Sequence, residues 1–194
     1  MFTGIVQAVG RIVRAHPLEV DSGSLDLADA ALGDSICVQG VCLTVTALRS
    51  RGFTADVSEE TLRVTTGLDR PGAVNLEKSL AAGDKLGGHL VTGHVDGVGQ
   101  VRKKAGSVVT FELPKALARY VAAKGSICVD GVSLTVNRVT GRQFEVNLIP
   151  HTLEVTTLSR LAPGVRVNLE VDPIARYVER ILSASDGLPK SRRR

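Results

Sequence analysis

Single-step alternation of apolar and polar residues dominates this chain. Ile36 and Val38 share one parity, and after Gln39-Gly40 the residues Val41, Leu43 and Val45 share the other, so each run predicts a short strand of period two. Gly punctuates such runs throughout, and apolar patterns of helical length are scarce, which predicts a small antiparallel barrel or sandwich. Short helical turns are expected after Ser58 and after Pro150. The stretch PKALARYVAAKG from Pro114 predicts a short helix, with proline in its first turn and glycine at its end. DPIARYVERILSAS from Asp172 is a different kind of segment. Asp172 can cap, Pro173 suits the first helical position, and Ile174, Val178, Ile181 and Leu182 form one apolar stripe.

The strand pattern occurs twice. SICVQGVCLTV from Ser35 returns as SICVDGVSLTV from Ser126, changed only at Gln39/Asp130 and Cys42/Ser133. Phe53 meets Phe144 at the same offset, TLRVTT from Thr61 meets TLEVTT from Thr152, and PGAVNLE from Pro71 meets PGVRVNLE from Pro163. TGIVQAVG from Thr3 likewise resembles TGHVDGVG from Thr92. The boundary falls in the Gly-rich stretch from Ala81 to Gly88, giving modules over residues 1–88 and 89–171 and a third segment over 172–194. Each module has roughly 90 residues, near the lower end of what folds around its own core. The final helix has no counterpart in the first copy, so it either docks back on the body or mediates association, and association is the favoured expectation.

Composition narrows the function. In 194 residues, 43% are hydrophobic and 23% charged, as in a globular protein, while aromatics are only 3% with no Trp, which leaves little material for base-stacking platforms. Lys190, Arg192, Arg193 and Arg194 account for the whole net charge of +4, so the body is balanced and lacks the basic face of a nucleic-acid or membrane binder. No run approaches the roughly 18 apolar residues of a membrane span, and the start MFTGIVQAVG has no signal-peptide pattern. Cys37, Cys42 and Cys128 are odd in number without C-x-x-C spacing, so reduced thiols and a cytoplasmic location are expected.

Candidate chemistry lies where the two copies differ. Cys42 matches Ser133, Ile5 matches His94, Gly33 matches Lys124, and Ser58-Glu59-Glu60 matches Ile149-Pro150-His151. Cys42 shares a strand face with Thr44, as Ser133 does with Thr135. A small core thiol and a hydroxyl pair that satisfies local backbone are the ordinary alternatives. Cys37 and Cys128, equivalent in the two copies, fit the core reading better. His89 and His94 are five apart and point to opposite faces of a strand, a poor chelating pair, so no metal site is expected. His94 at a Gly-flanked strand end can hold a proton-transfer group close to a ligand, or be a plain surface histidine. Lys124 reads as a solvated lysine, Asp172 as a helix cap, and His16 as a loop residue. From the residues alone this is a duplicated β module that binds a small ligand twice.

Six motifs in order, MFTGIV, GVCLTV, GGHLVTGHVDGVG, GVSLTV, LIPHTLEVTTL and NLEVDP, resemble the riboflavin synthase family, the trimeric type with two lumazine-binding domains, over nearly the whole chain. The resemblance implies an all-β fold of two similar six-stranded Greek-key barrels followed by a C-terminal helix that assembles a homotrimer, and an association with lumazine synthase. It implies a transferase that exchanges a four-carbon unit between two molecules of 6,7-dimethyl-8-ribityllumazine, without redox cofactor or metal, giving riboflavin and 5-amino-6-(D-ribitylamino)uracil. A non-catalytic lumazine or flavin carrier of the same fold is the alternative. Carried over by position, the first barrel's ligand segments are Gly4, Ile5 and Val6, Cys42, Leu43 and Thr44, and Asp56, Val57, Ser58, Glu59, Glu60 and Thr61, with Ser35 nearby. The second barrel's are Gly93, His94 and Val95, Lys124, Ser133, Leu134 and Thr135, and Ile149, Pro150, His151, Thr152, Leu153 and Glu154. The chemical roles carried over fall on Cys42 as a nucleophile or polarising contact, on Ser133 with His94 as a proton-transfer pair, and on Thr135 and Asp172 in support. The chain departs from the family pattern at His151, where relatives often carry an acid, and at Val41, where a second Cys can occur.

Overall fold

The structure, a computed structural model, describes residues 1–185, so the basic tail anticipated at Lys190–Arg194 lies outside the described residues. The described residues form twelve strands, mostly joined directly by turns and loops, with a few short helices between them. The first six are β1 (Ala8–Arg14), β2 (Leu18–Asp21), β3 (Ser35–Val38), β4 (Val41–Arg49), β5 (Gly52–Ala55) and β6 (Gly72–Lys78). The second set is β7 (Gly97–Ala105), β8 (Val108–Glu112), β9 (Ser126–Val129), β10 (Val132–Thr140), β11 (Gln143–Asn147) and β12 (Arg166–Val171). Helix α1 (Glu59–Val64) follows β5, α2 (Pro150–Val155) follows β11, and α3 (Pro173–Ser185) ends the described chain.

Each set closes into an antiparallel barrel, in the order β1-β2-β5-β4-β3-β6 and, with the same connectivity, β7-β8-β11-β10-β9-β12. Closure leaves no open sheet edge, which decides between the barrel and sandwich that alternation alone allows. Matching register shifts between Val45 and Ala47 and between Val136 and Arg138 place a bulge in β4 and in β10, a usual device for bending long strands around a small barrel. The inward residues are those of the period-two pattern. Ile12, Val20, Ile36, Phe53 and Leu76 fill the first barrel, and Val101, Phe111, Ile127, Phe144 and Leu169 the second. Phe111 and Phe144 stack with ring centres 5.1 Å apart, part of the small aromatic content of an otherwise aliphatic interior.

The stretch from Pro114 differs from expectation. It forms a short 3-10 helix over Lys115–Tyr120, tighter than an α-helix and ending well before Gly125, with only Leu117 buried, against the second core. At α3, the Asp172 carboxylate accepts the Ile174 N–H at 2.9 Å, the capping role its sequence indicates. The helix docks on the body through polar pairs: Glu179 accepts from Arg119 at 2.6 Å and from the Tyr120 hydroxyl at 2.8 Å, and Arg176 reaches Asp96 at 2.7 Å. Its apolar stripe is left outside, with Ile174 62% and Leu182 62% exposed.

The barrels meet across a pseudo-twofold seam built from equivalent residues. Phe2 and Val91 pair backbone to backbone, at 2.8 and 3.1 Å, and with Cys37 and Cys128 make a small buried apolar cluster. Asn75 donates its side-chain N–H to the Asp130 carbonyl at 2.8 Å, while Asn168 donates to the Gln39 carbonyl at 2.9 Å. Their side-chain oxygens in turn accept from Thr157 N–H and Thr66 N–H, both at 2.8 Å. The seam is polar and fully paired at these amides, which specifies one relative setting of the two barrels.

Candidate functional site

Both copies of the GVxLTV strand present their variable residues outward. In β4 Val41, Leu43 and Val45 are buried while Cys42 is half-buried and Thr44 exposed, and in β10 Ser133 and Thr135 repeat that pattern. The candidate pockets therefore lie on the outer walls of the barrels, and Leu43 and Leu134 belong to the interior. Ser35 pairs with Thr44 across β3 and β4, and Ala55 pairs with Val45, so Asp56 leaves β5 beside Thr44 and leads into α1. Ser58 caps α1, its hydroxyl accepting the Thr61 N–H at 3.1 Å, and Val57 packs on the barrel core. Glu59 stands exposed in the first turn, and Glu60 is held by Arg63 at 2.6 Å. In the second copy Ile149 takes the capping position without a side-chain bond and Pro150 opens α2. There His151 and Glu154 face solvent, Thr152 accepts at its carbonyl from the Thr156 hydroxyl at 2.6 Å, and Leu153 packs on the second core.

The lead-in turns cross over. Gly4 and Gly93 were expected to serve their own barrels, yet the Gly4 carbonyl accepts the Ser133 N–H at 2.8 Å and the Gly93 carbonyl accepts the Cys42 N–H at 2.9 Å. Val6 packs against the core of the second barrel and Val95 against that of the first. The Phe2–Val91 bridge brings the two lead-in segments together at the seam, so each turn touches the other barrel before it enters its own. Gly4, Ile5 and Val6 thus stand with Ser133, and Gly93, His94 and Val95 with Cys42, the reverse of the sequence grouping. A buried carboxylate sets each turn. Glu77 accepts from Thr3 N–H (2.7 Å), the Thr3 hydroxyl (2.8 Å) and Gly4 N–H (3.0 Å), and Glu170 does the same for Thr92 and Gly93 at 2.7, 2.7 and 2.9 Å. Burial raises the pKa of Glu77, and these donors pull it back. Only glycine fits at the crossing, because Gly93 has φ +76° and a Cβ there would lie 2.6 Å from Cys42 Cβ.

Ser133 finds its histidine at His89, not at His94. His89 Nδ1 lies 2.7 Å from Ser133 Oγ, and its Nε2 is buried with no partner among the described residues. Gly88 permits the approach, since a Cβ there would meet Thr3 O at 2.0 Å and Ser133 Oγ at 3.0 Å. Burial pushes the His89 pKa below the ordinary histidine value, against the opposing pull of the Asp172 carboxylate, so the ring is neutral at pH 7. A neutral imidazole hydrogen-bonded to a hydroxyl, with its far nitrogen free, can pass a proton. His94 instead is exposed on the turn beside Cys42, so the expected Ser133–His94 pair is not formed. Comparing matched positions missed His89 because, at the offset that joins Thr3 to Thr92, it falls ahead of Met1 and has no counterpart.

Lys124 is exposed, as its reading as a solvated lysine expects. It holds φ +68°, where its match Gly33 holds +91°, and both donate their N–H inward, to Val136 O at 2.7 Å and Val45 O at 2.9 Å. Cys37 and Cys128 are buried at the seam, where burial raises both thiols well above their ordinary range, whereas Cys42 reaches solvent. Ile5 lines a cavity of about 470 Å³ with Thr3, Gln7 and the linker from Lys78 to Gly87, and Ser35 lines an adjoining one of about 350 Å³. Among the described residues no group of three or more His, Cys, Asp or Glu is arranged to hold a metal, and no helix is long and apolar enough to cross a membrane.

Comparison with known proteins matches the Lumazine binding domain family to residues 3–79 and again to 92–172. The chain is 50% identical to the riboflavin synthase of Mycobacterium tuberculosis over 201 residues, covering 95% of this chain and 100% of the relative. It is 40% identical to the riboflavin synthase of Bacillus subtilis over 194 residues, covering 94% and 90%. Among solved structures, that of LumP complexed with riboflavin matches with a TM-score of 0.78 and 26% identity, covering 88% of this chain and 99% of LumP.

Proposed function

The chain belongs to the lumazine-binding domain family, and on that footing we propose that it is a riboflavin synthase, a transferase that converts two molecules of 6,7-dimethyl-8-ribityllumazine into riboflavin and 5-amino-6-(D-ribitylamino)uracil. The observation that carries the reading is the pair of outward strand faces, alike in backbone and unlike in chemistry: Cys42 with the His94 turn on one, Ser133 with His89 on the other. A reaction between two copies of one compound needs two similar binding sites, and unequal roles as donor and acceptor need those sites to differ.

The donor gives up a four-carbon unit, two ring carbons with their methyl groups, and the acceptor receives it to complete the third ring. Atoms and electrons balance within the two substrates, so no external oxidant enters. The acidic C7 methyl starts the chemistry because its anion delocalises into the electron-poor ring. What remains for the protein is to hold the rings face to face and to move protons. His89, neutral and bonded to the Ser133 hydroxyl, is the proton-transfer pair, with Asp172 close enough to influence its charge and Thr135 on the same strand face. Cys42 contacts the other ring near C7. Backbone groups of the crossed turns, of Asp56–Thr61 and of Ile149–Glu154 read the pyrimidine edge, and Ser35, Thr44 and Lys124 serve the polar ribityl chain.

Near the Ser133 face Ile5 and Ile149 are 49% and 56% exposed. With the uncovered apolar stripe of α3, this supports a homotrimer in which the first-barrel pocket of one subunit closes on the second-barrel pocket of its neighbour. A cytoplasmic location and an association with lumazine synthase belong to the same reading. Incubation with 6,7-dimethyl-8-ribityllumazine, with no added cofactor, tests it: riboflavin forms at half the molar amount of substrate consumed. Binding without turnover would assign the chain instead to carriers of the LumP kind.

A further inference from the structure

The turn that brings His94 to Cys42 is held from outside by the C-terminal helix. Arg176, on α3, donates from Nη2 to the Asp96 carboxylate at 2.7 Å and to the His94 carbonyl at 3.3 Å. The same Asp96 oxygen accepts the Val171 N–H at 2.8 Å, at the end of β12. The first copy shows what this carboxylate is not needed for. Gln7 is the match of Asp96, and its neutral side-chain oxygen accepts the equivalent backbone N–H, that of Lys78, also at 2.8 Å. An amide suffices for the strand-end bond, so the charge at Asp96 answers to something the first copy lacks, and α3 is the element it lacks. The arrangement is partly buried, with side-chain exposures of 40% for Arg176 and 15% for Asp96, and so is less screened than a surface pair.

We propose that Arg176 is a positioning residue: through Asp96 and the His94 carbonyl it locks the Gly93–His94–Val95 turn to α3, so that the seating of the helix sets the placement of His94 beside Cys42. The proposal rests on reading the Cys42 face as a substrate pocket. The barrels grip the turn on both sides of His94: Gly93 N–H on Glu170 and Gly93 carbonyl on Cys42 N–H on the seam side, and Asp96 N–H on the Leu169 carbonyl at 2.8 Å on the far side. Arg176 adds a tie from α3 to that far side, and its bond to the His94 carbonyl falls on the residue between the two backbone grips. Because α3 also carries the exposed apolar stripe, Arg176 links contacts made by that stripe to the turn that holds His94.

Two variants and two readouts decide the matter. Arg176→Met keeps the aliphatic stem and removes both hydrogen bonds. Asp96→Asn keeps an acceptor for Val171 N–H, as Gln7 does for Lys78, and removes only the ion pair. Each is expected to lower kcat/KM about tenfold with association state unchanged by sedimentation, the double variant is expected to be no worse than either single, and Arg176→Lys is expected to recover part of the loss. Histidine side-chain NMR resonances, followed without substrate, should shift for His94 and stay fixed for His16 in both variants. If the wild type makes no riboflavin, the functional reading fails, while the His94 shift still tests the positioning role. Unmoved His94 resonances, or additive losses in the double variant, would overturn the proposal. Should Arg176→Met fail to assemble, Asp96→Asn carries the test alone, and normal turnover with an unshifted His94 would overturn it.

Discussion

Asp130 turns the seam between the barrels into a measurable quantity. It is buried in the β9–β10 turn at φ +50°, its carboxylate accepts the Asn168 N–H at 2.8 Å, and it makes no ion pair among the described residues. Burial is the dominant influence and pushes its pKa from 3.8 up to about 7, against the pull of hydrogen bonds from Asn168 and Gln39. A pKa higher in the folded than in the unfolded chain means that the folded state holds the proton more tightly. The stabilisation is then complete below about pH 3.8 and is lost as pH rises through about 7. Roughly three pH units at about 1.4 kcal/mol each give up to about 4 kcal/mol of folding stability lost between the two limits. Asp130→Asn keeps an oxygen for Asn168, suits the left-handed backbone at least as well, and cannot ionise. Its stability relative to wild type should therefore rise from pH 4 to pH 8 by a few kcal/mol, with most of the change below pH 7. Urea unfolding followed by far-UV circular dichroism, at fixed protein concentration and ionic strength, measures this difference directly. Glu77 and Asp96, which burial also raises, titrate in both proteins and cancel. Parallel stability curves for the two proteins across this range would refute the reasoning.

Ser133→Ala and His89→Gln should each slow riboflavin formation about a hundredfold or more with riboflavin binding retained, and the double variant should be no slower than the worse single, as for residues acting as one unit. In the wild type the acid limb of the rate profile should have its midpoint below the ordinary histidine value of 6.5, because burial lowers the His89 pKa. Cys42→Ser should leave folding intact and slow turnover, whereas Cys37→Ser, buried at the seam, should cost roughly 1–2 kcal/mol of stability and leave the rate of the folded protein nearly unchanged. A larger loss of turnover from Cys37→Ser would reverse the assignment of strand faces. Deleting the chain from Pro173 onward should lower association state and activity together, as read by sedimentation and a riboflavin absorbance assay; an active monomer would remove the shared pocket.

Much of the molecule was legible before any coordinates. The duplication, the alternation in SICVQGVCLTV and SICVDGVSLTV, and the outward facing of Cys42, Thr44, Ser133 and Thr135 all follow from residue order, because side-chain direction in a strand is fixed by parity. The cap at Asp172 was equally local. The stretch after Pro114 reads as a short helix and is one, but of the 3-10 type and shorter, since a six-residue segment packed by Leu117 on the second core is shaped by that contact more than by its own propensity.

The site divides along the same line. Sequence alone determined that there are two similar folding units, which residues in them are chemically unequal, and that an amphipathic helix stands apart from both, because each of these is a property of neighbours in the chain. Tertiary structure decided which residues meet. The Phe2–Val91 bridge sends Gly4 to Ser133 and Gly93 to Cys42, places His89 within 2.7 Å of Ser133, and lets Arg176 hold the turn of His94. These contacts join positions 44 to 129 residues apart in sequence, counting the Asn168–Gln39 bond of the seam. They depend on how two closed barrels pack, and no local pattern of apolar and polar residues encodes that.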